Sequence, residues 1–381
     1  MSWKAKGLKI MRAEFVKRVL ENEKSKAALC REYGISRPTG DKWIARYEAG
    51  EEMSDHSRAP CAKPNMIPIE IEEQIVDYRK RYPAIGAVKM KRMLENEGCE
   101  GLPCAKTFNN VFMRNGLITR EASLAATPCT RFEKTYPNEM WQGDFKGHFE
   151  MKDGKRCHPL NINDDYSRFN LCSEALGAET IDMVRPVMQR LFEEYGLPFS
   201  FLCDNGNPWG VTQGSGFTSF EIWLMELGIL TLHGRIHHPQ TQGKEESFNR
   251  SQTRECLRGR VFDDMNDAQA HLNEYREFYN NKRPHHALNL EVPASRYAPS
   301  ERRMPKKIEP WEYPSECRIR RINKDGYIKI AGHSYFLSGA FAGKDVGIRE
   351  SRLPGEITLL FRQFRIARLN VEKRVFTLKR I

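Results

Sequence analysis

Apolar positions repeat at helical spacing over the first third of the chain, switch between strand and helix patterns through its middle, and settle into short strands towards its end. Phe15, Val16, Val19 and Leu20 open the first block; Ser25 caps a second segment through Ala28, Leu29 and Cys30; a Gly34-Ile-Ser36 turn leads to a third, Arg37 to Tyr47. A second helical block reads as Ile69 to Lys80, Gly86 to Asn96 and Pro103 to Asn115, punctuated by Pro83 and closed by Gly116. The middle block predicts strands over 140–151, 157–164 and 168–175, a helix over 180–195, a strand over 198–203, a helix over 216–227, a strand over 229–232, and helices over 243–258 and 266–279. After Pro293 and Pro299 the pattern becomes short strands with turn signals at Asp325-Gly326 and Pro354-Gly355.

Aperiodic polar stretches separate the blocks, so the 381 residues divide into modules at 1–50, 67–118, 138–300 and 301–381, joined by linkers at 51–66 and 119–137, the second carrying Arg120, Arg131 and Lys134. Two helices joined by a short glycine-containing turn make a helix-turn-helix, whose second helix enters the DNA major groove. In the first module Arg37, Thr39, Lys42 and Arg46 would face DNA while Trp43, Ile44 and Tyr47 pack inward. A three-helix unit that binds protein is the other reading of the same pattern.

Charge sharpens this division. The net charge is +11, but residues 1–135 carry 25 basic and 18 acidic side chains, 136–300 carry 17 and 23, and 301–381 carry 19 and 9. Basic flanks suit phosphate binding, and an acidic centre collects carboxylates that need cations. The ten cysteines include no CxxC pair, which argues against a zinc ribbon or a disulfide framework. No long apolar run and no apolar signal core at the N-terminus occur, so a cytoplasmic protein without membrane attachment is expected.

The candidate chemistry lies in three acidic positions. The apolar run Phe199 to Cys203 ends in Asp204-Asn-Gly206, which sets Asp204 at the C-terminal lip of a strand. Asp144 falls within the strand-like segment Trp141-Gln-Gly-Asp144-Phe, and Glu246 follows a Pro239-to-Gly243 loop on a helix. Mg²⁺ favours a few carboxylate oxygens and keeps the rest of its shell for water and phosphate. Taken singly, Asp204 could merely stabilise its turn, and Glu246 could pair with Arg250 at i,i+4.

Together, PNEMWQGDF, CDNG and HHPQTQGKEESFNR, followed by YREFYNNKRPH, resemble the core of insertion-sequence transposases with an integrase-type (DDE) catalytic domain, in the retroviral integrase superfamily. The resemblance spans nearly the whole chain. It implies a multidomain protein with two N-terminal all-α helix-turn-helix domains, an α/β ribonuclease-H-like core with its first and fourth strands side by side, and a small C-terminal β-barrel. It also implies Asp144, Asp204 and Glu246 as catalytic metal ligands for Mg²⁺, with Mn²⁺ able to substitute, two ions about 3.5 to 4 Å apart serving cleavage and strand transfer. The glycine-lysine-any-glutamate motif selects Glu246 over Glu245, and Asp164 and Asp165 take supporting roles.

YPAIGAVKMKRMLENEG looks like the second helix-turn-helix of these transposases, with Lys106, Asn109, Asn110 and Arg114 as DNA contacts; Lys244, Asn249, Arg250 and Arg254 are further ones in the core. Lys282 to His286 reads as a basic closing loop. The expected partners are double-stranded DNA, both terminal inverted repeats and target, and further copies of the chain in at least a dimer; the expected location is the cytoplasm of a bacterium, on the nucleoid when DNA-bound. Arg318, Arg320, Arg321, Arg349, Arg365 and Arg368 would track phosphates or serve oligomerisation. The departures are Ser247 where relatives often carry arginine, Thr253 at a usually basic position, and an insert from Trp209 to Phe217. A DNA-binding regulator with an inert core and a nuclease of related fold remain alternatives; helix-turn-helix modules argue against RNA-containing duplexes, which offer no readable major groove.

Overall fold

The computed structural model describes residues 7–55, 67–118, 134–206, 208–210, 216–234, 243–351 and 353–378. Arg120, Arg131, most of the first linker, part of the Trp209–Phe217 insert and the loop through Pro239 lie outside these residues. The chain forms two compact units, 1–66 and 67–381. No helix among the described residues is long and apolar enough to cross a membrane.

In the first unit, α1 (Leu8–Leu20), α2 (Lys26–Tyr33) and α3 (Arg37–Glu48) enclose Phe15, Val16, Leu29, Cys30 and Trp43. The Ser25 and Ser36 side chains accept the free N–H groups of Ala28 and Thr39, and Gly34 ends α2 in the left-handed region at φ 66°. Gly40 lets α3 close on α2, because a Cβ there would stand 2.9 Å from the Cys30 sulfur. Trp43 is buried as expected. Tyr47 is not: it is 45% exposed, beyond the apolar stripe that α3 turns inward.

The second unit opens with α4 (Ile69–Arg81), α5 (Ala87–Asn96) and α6 (Ala105–Arg114), packed around Ile75, Met90, Phe108 and Phe112. Tyr82 stacks on Phe278 at 5.0 Å, which seats this module on the central domain. That domain contains β1 (Met140–Phe145), a short β2 (Phe149–Glu150), β3 (Arg156–Asp164), β4 (Asn170–Leu176), α7 (Ile181–Tyr195), β5 (Ser200–Cys203), α8 (Ser219–Glu226), β6 (Leu230–His233), α9 (Gly243–Gln252), a π-helical turn (Thr253–Leu257) and α10 (Met265–Asn281). In the sheet β4, β3 and β1 are antiparallel, and β1, β5 and β6 run parallel in that order. This is the ribonuclease-H-like order. The strand expected over 140–151 stops at Phe145 and resumes as β2, so the expected parallel partner of β1, the strand over 198–203, is found beside it as β5.

α7 covers one side of the sheet with Val184, Met188, Leu191 and Phe192 against Trp141 and Phe201. On a second apolar cluster Phe248 of α9 meets Leu272, Tyr275 and Tyr279 of α10. Arg283 is no member of a basic surface loop. Its side chain is buried, donating twice to Glu255, from Nε at 2.7 Å and Nη2 at 2.8 Å.

The C-terminal strands are β7 (Arg318–Arg321), β8 (Tyr327–Ile330), β9 (His333–Phe336), β10 (Asp345–Glu350), β11 (Glu356–Phe361), β12 (Phe364–Asn370) and β13 (Val375–Leu378). Among the described residues they do not close into the expected barrel. β13-β12-β11-β10-β7 is an open sheet, and β8-β9 is a separate hairpin. Closure is not needed to bury the apolar residues, because Val346, Leu359 and Ile366 share one cluster with Phe217, Ile222 and Met225 of the central domain. β7 is exposed along its length, as are Arg365 and Arg368 on β12.

Candidate active site

The register of β1 on β5, Met140 beside Ser200 and Gln142 beside Leu202, carries on to set Asp144 level with Asp204 at the adjoining C-terminal ends of two parallel strands. Gly143 makes the approach possible, since a Cβ there would stand 2.4 Å from the Phe201 ring. Burial pushes the Asp144 carboxyl up to about 6, and the Asp204 charge adds to the effect. Asp204 is raised as well, chiefly by burial, against the opposing N–H of Gly206, which donates to Oδ1 at 3.0 Å. Glu179, just before α7, adds negative potential to both carboxyls and is hydrogen-bonded to His158 at 2.8 Å.

Helix α9 approaches from the other side. Asn249 Nδ2 donates to Asp144 Oδ2 at 2.9 Å, and the Asn249 side-chain oxygen accepts from Asn161 at 2.8 Å. Asn249, expected at DNA, instead orients a carboxylate. Glu245 and Glu246 precede it by four and three residues, so both flank the same helix face. Glu245 is 2% exposed and accepts from Asn163 Nδ2 at 2.7 Å. Burial and then the Asp144 charge hold its carboxyl well above the ordinary range. Glu246 is exposed. Among the described residues no group of three or more acidic, histidine or cysteine side chains is placed to hold a metal ion; the strand register brings Asp144 and Asp204 together.

Lys244, a DNA-contact candidate, makes an ion pair within the fold. Its Nζ lies 2.6 Å from Asp165 Oδ2, and the Asp165 side chain is fully buried, also accepting from Gln142 Nε2 and the Lys134 N–H. Asp164 accepts from the Asn138 and Ser167 N–H groups and pins the turn after β3. Thr253 donates its hydroxyl to the Asn249 backbone carbonyl at 2.7 Å where α9 loosens into the π-helical turn. Arg250 and Arg254 are exposed.

Of the DNA-contact candidates in α3, Arg37 is exposed and Thr39 half-buried beside Ser36; Lys42 is exposed, with its ammonium 4.9 Å from the Trp43 ring centre. Arg46 is engaged within the module: it donates to the Ser54 carbonyl at 2.8 Å, sits 3.7 Å from Glu51 and lies over Trp43. On α6, Lys106, Asn109 and Asn110 are exposed, and Arg114 is paired with Glu72. The residues that pattern reading misses are Glu245, Glu179, Asn161, Glu221 and His233. Only Glu245 carries a signal, as an acid adjacent to the motif glutamate.

The donor set fits a divalent cation. Two neighbouring carboxyls that repel one another and have raised pKa values hold unrelieved negative charge when ionised, which a hard cation would neutralise.

Family models for integrase core domains match residues 134–239 and 227–293, and one for a helix-turn-helix domain matches residues 11–60. The chain is 24% identical, over 97% of its length and 90% of the other, to a Geobacillus stearothermophilus protein provisionally named as the transposase for insertion sequence element IS5376. It is 28% identical, over 42% of this chain and 54% of the other, to an uncharacterised 31.7 kDa protein of insertion element IS407 from Burkholderia multivorans. Among solved structures, the HTLV-2 integrase catalytic core domain in complex with magnesium aligns at 15% identity and TM-score 0.31, covering 42% of this chain and 97% of that one. A simian T-cell lymphotropic virus intasome in complex with the PP2A regulatory subunit B56 gamma aligns at 14% identity and TM-score 0.36, covering 80% and 98%.

Proposed function

We propose that this chain, a transposase with an integrase-type core and an N-terminal helix-turn-helix domain, binds the ends of its own insertion sequence and catalyses metal-dependent strand cleavage and strand transfer. One observation carries the reading: Asp144 and Asp204 meet at the ends of adjacent parallel strands, where their charges repel one another. Asp144, Asp204 and Glu246 would hold Mg²⁺ or Mn²⁺. When bound, such ions supply an activated water and neutralise the leaving 3′ oxygen.

The chain's own residues set the stage for this. Asn249 fixes which Asp144 oxygen points at α9. Burial holds the Glu245 carboxyl well above the ordinary range and its side chain is tied to Asn163, whereas Glu246 is exposed and would engage the cation. The Lys244–Asp165 pair anchors the start of α9 between β1 and β3. Arg37, Thr39 and Lys42, with Lys106, Asn109 and Asn110, would read element ends; Arg250 and Arg254 would hold phosphates close to the cut. Bringing two ends together calls for an assembly of at least two copies.

The test is incubation of the chain with Mg²⁺ and DNA bearing the inverted repeats that flank its gene. Cuts at the repeat termini, followed by joining of the freed 3′-OH to a second duplex, are expected. Tight, specific binding of those repeats with no cleavage under any divalent cation would leave a DNA-binding regulator instead.

A further inference from the structure

His233 ends β6 with both ring nitrogens engaged. Nδ1 lies 2.8 Å from the backbone carbonyl oxygen of Asp204, and Nε2 lies 2.8 Å from Glu221 Oε1. Both ring nitrogens are thus used, and the imidazole bridges the Asp204 backbone to the Glu221 side chain. The pair is buried, with 8% of the His233 side chain and 2% of the Glu221 side chain exposed. Burying polar groups of this kind costs free energy unless their remaining hydrogen bonds are satisfied. They are: the other Glu221 oxygen takes the Thr218 N–H, closing a capping box at the start of α8.

α8 is itself immobilised from two sides. Phe220, Trp223 and Leu224 lie in the central apolar cluster, and Ile222 and Met225 in that of the C-terminal sheet. Ser338 donates to the Phe217 carbonyl at 2.7 Å and Lys344 pairs with Glu226, both from the C-terminal side. A rigid path therefore runs from α8 through Glu221 and His233 to the backbone of Asp204, which follows the last residue of β5. Asn205 reinforces its far end, donating from Nδ2 to the Gly234 carbonyl at 2.8 Å.

We propose that His233, clamped by Glu221, is a positioning residue that fixes the Asp204 backbone so that its carboxylate faces Asp144, and that it sets the affinity of the site for its divalent cation. This rests on Asp204 being a cation ligand, as proposed above. His233 touches no reacting atom; it acts through Asp204.

The experiment uses the full chain and its His233→Ala, His233→Asn, Glu221→Gln and Asp204→Asn variants, each first checked for wild-type secondary structure and DNA binding. Half-saturating Mg²⁺ and maximal rate are measured in end cleavage, and Mn²⁺ binding is measured without DNA by electron paramagnetic resonance. His233→Ala is expected to raise half-saturating Mg²⁺ and the Mn²⁺ dissociation constant by about 10-fold to 100-fold, the usual effect of losing a group that orients a ligand. Saturating Mg²⁺ should restore the wild-type maximum. Asparagine, which keeps an N–H donor where Nδ1 stands, should recover most of the affinity. Glu221→Gln, which keeps the packing but replaces one of the two carboxylate oxygens engaged by His233 and the Thr218 N–H, should shift affinity in the same direction as alanine at 233.

Wild-type cation affinity in both His233→Ala and Glu221→Gln, or equal impairment of His233→Ala and His233→Asn, would overturn the proposal. Should His233→Ala fail to fold, Glu221→Gln and His233→Asn decide alone. An inactive Asp204→Asn alongside normal His233 variants removes only the positioning role, whereas an active Asp204→Asn removes the cation-site reading beneath it.

Discussion

Asn249 on α9 donates to Asp144 on β1 at 2.9 Å, joining two elements 105 residues apart at the point where the acidic groups gather. The bond leaves the carboxylate ionisable while deciding its orientation, and it brings the helix bearing Glu246 against the sheet edge. Asn249→Ala should therefore slow metal-dependent cleavage by about 10-fold to 100-fold with DNA binding unchanged. Asn249→Asp, which sets a second charge against Asp144, should be slower still. Single-turnover cleavage of end DNA checks both.

The Asp144 carboxyl is raised to about 6 by burial and the Asp204 charge, so the folded chain binds this proton more tightly than the unfolded one. Stability without divalent cations should therefore be greatest below the unfolded value and fall as pH rises from about 4 to 6. Asp144→Asn should flatten that slope and stabilise the cation-free protein at pH 7 by at most about 3 kcal/mol, less whatever solvent screening removes. Mg²⁺ should stabilise the wild type at pH 7 and much less at pH 4. Urea unfolding across this pH range, with and without Mg²⁺, measures each effect.

The Arg283–Glu255 pair lies buried beneath Tyr279, and Arg283 also donates to Ser251 at 3.1 Å. Arg283→Ala strands the Glu255 carboxylate and should cost about 3–5 kcal/mol. Replacing both residues together by apolar ones of similar size should cost much less. Urea denaturation of the two variants separates these outcomes, and a mild single variant would contradict the assignment.

The sheet and its acidic edge are legible in the sequence because strand order follows from local patterns: apolar runs ending at Cys203 and beginning at Met140 place Asp204 and Asp144 on neighbouring lips once the topology is known. What a pattern does not carry is the far end of a long side chain. Lys244 reads as a phosphate ligand within its motif, yet its partner is Asp165, 79 residues upstream and fully buried. Arg46 lies on the expected face of α3, but the chain after Gly50 folds back and offers it the Ser54 carbonyl. His233 and Glu221 belong to separate elements without a shared motif, so only their packing reveals the clamp. The C-terminal strands are legible as strands; whether they close is not, because that depends on the apolar surface that α8 supplies.

Arg37 and Lys42 remain exposed on α3, whereas Arg46 is engaged within the module. Arg37→Ala and Lys42→Ala should each weaken end binding, and each phosphate no longer neutralised should lower the salt slope by about 1. Arg46→Ala should instead lower the melting temperature of the helical module and leave the salt slope unchanged. Fluorescence anisotropy over a salt series, paired with thermal unfolding, distinguishes the two classes.

The most direct measurement compares Mg²⁺-dependent cleavage of end DNA by the wild type with that by Asp144→Asn, Asp204→Asn, Glu246→Gln and Glu245→Gln, with DNA affinity measured in parallel. The first three variants should bind DNA as the wild type does and cut nothing, while Glu245→Gln, at a buried side chain held by Asn163, should keep cutting. Undiminished cleavage by Asp144→Asn or Asp204→Asn would contradict the assignment of the paired carboxylates to the catalytic cation site.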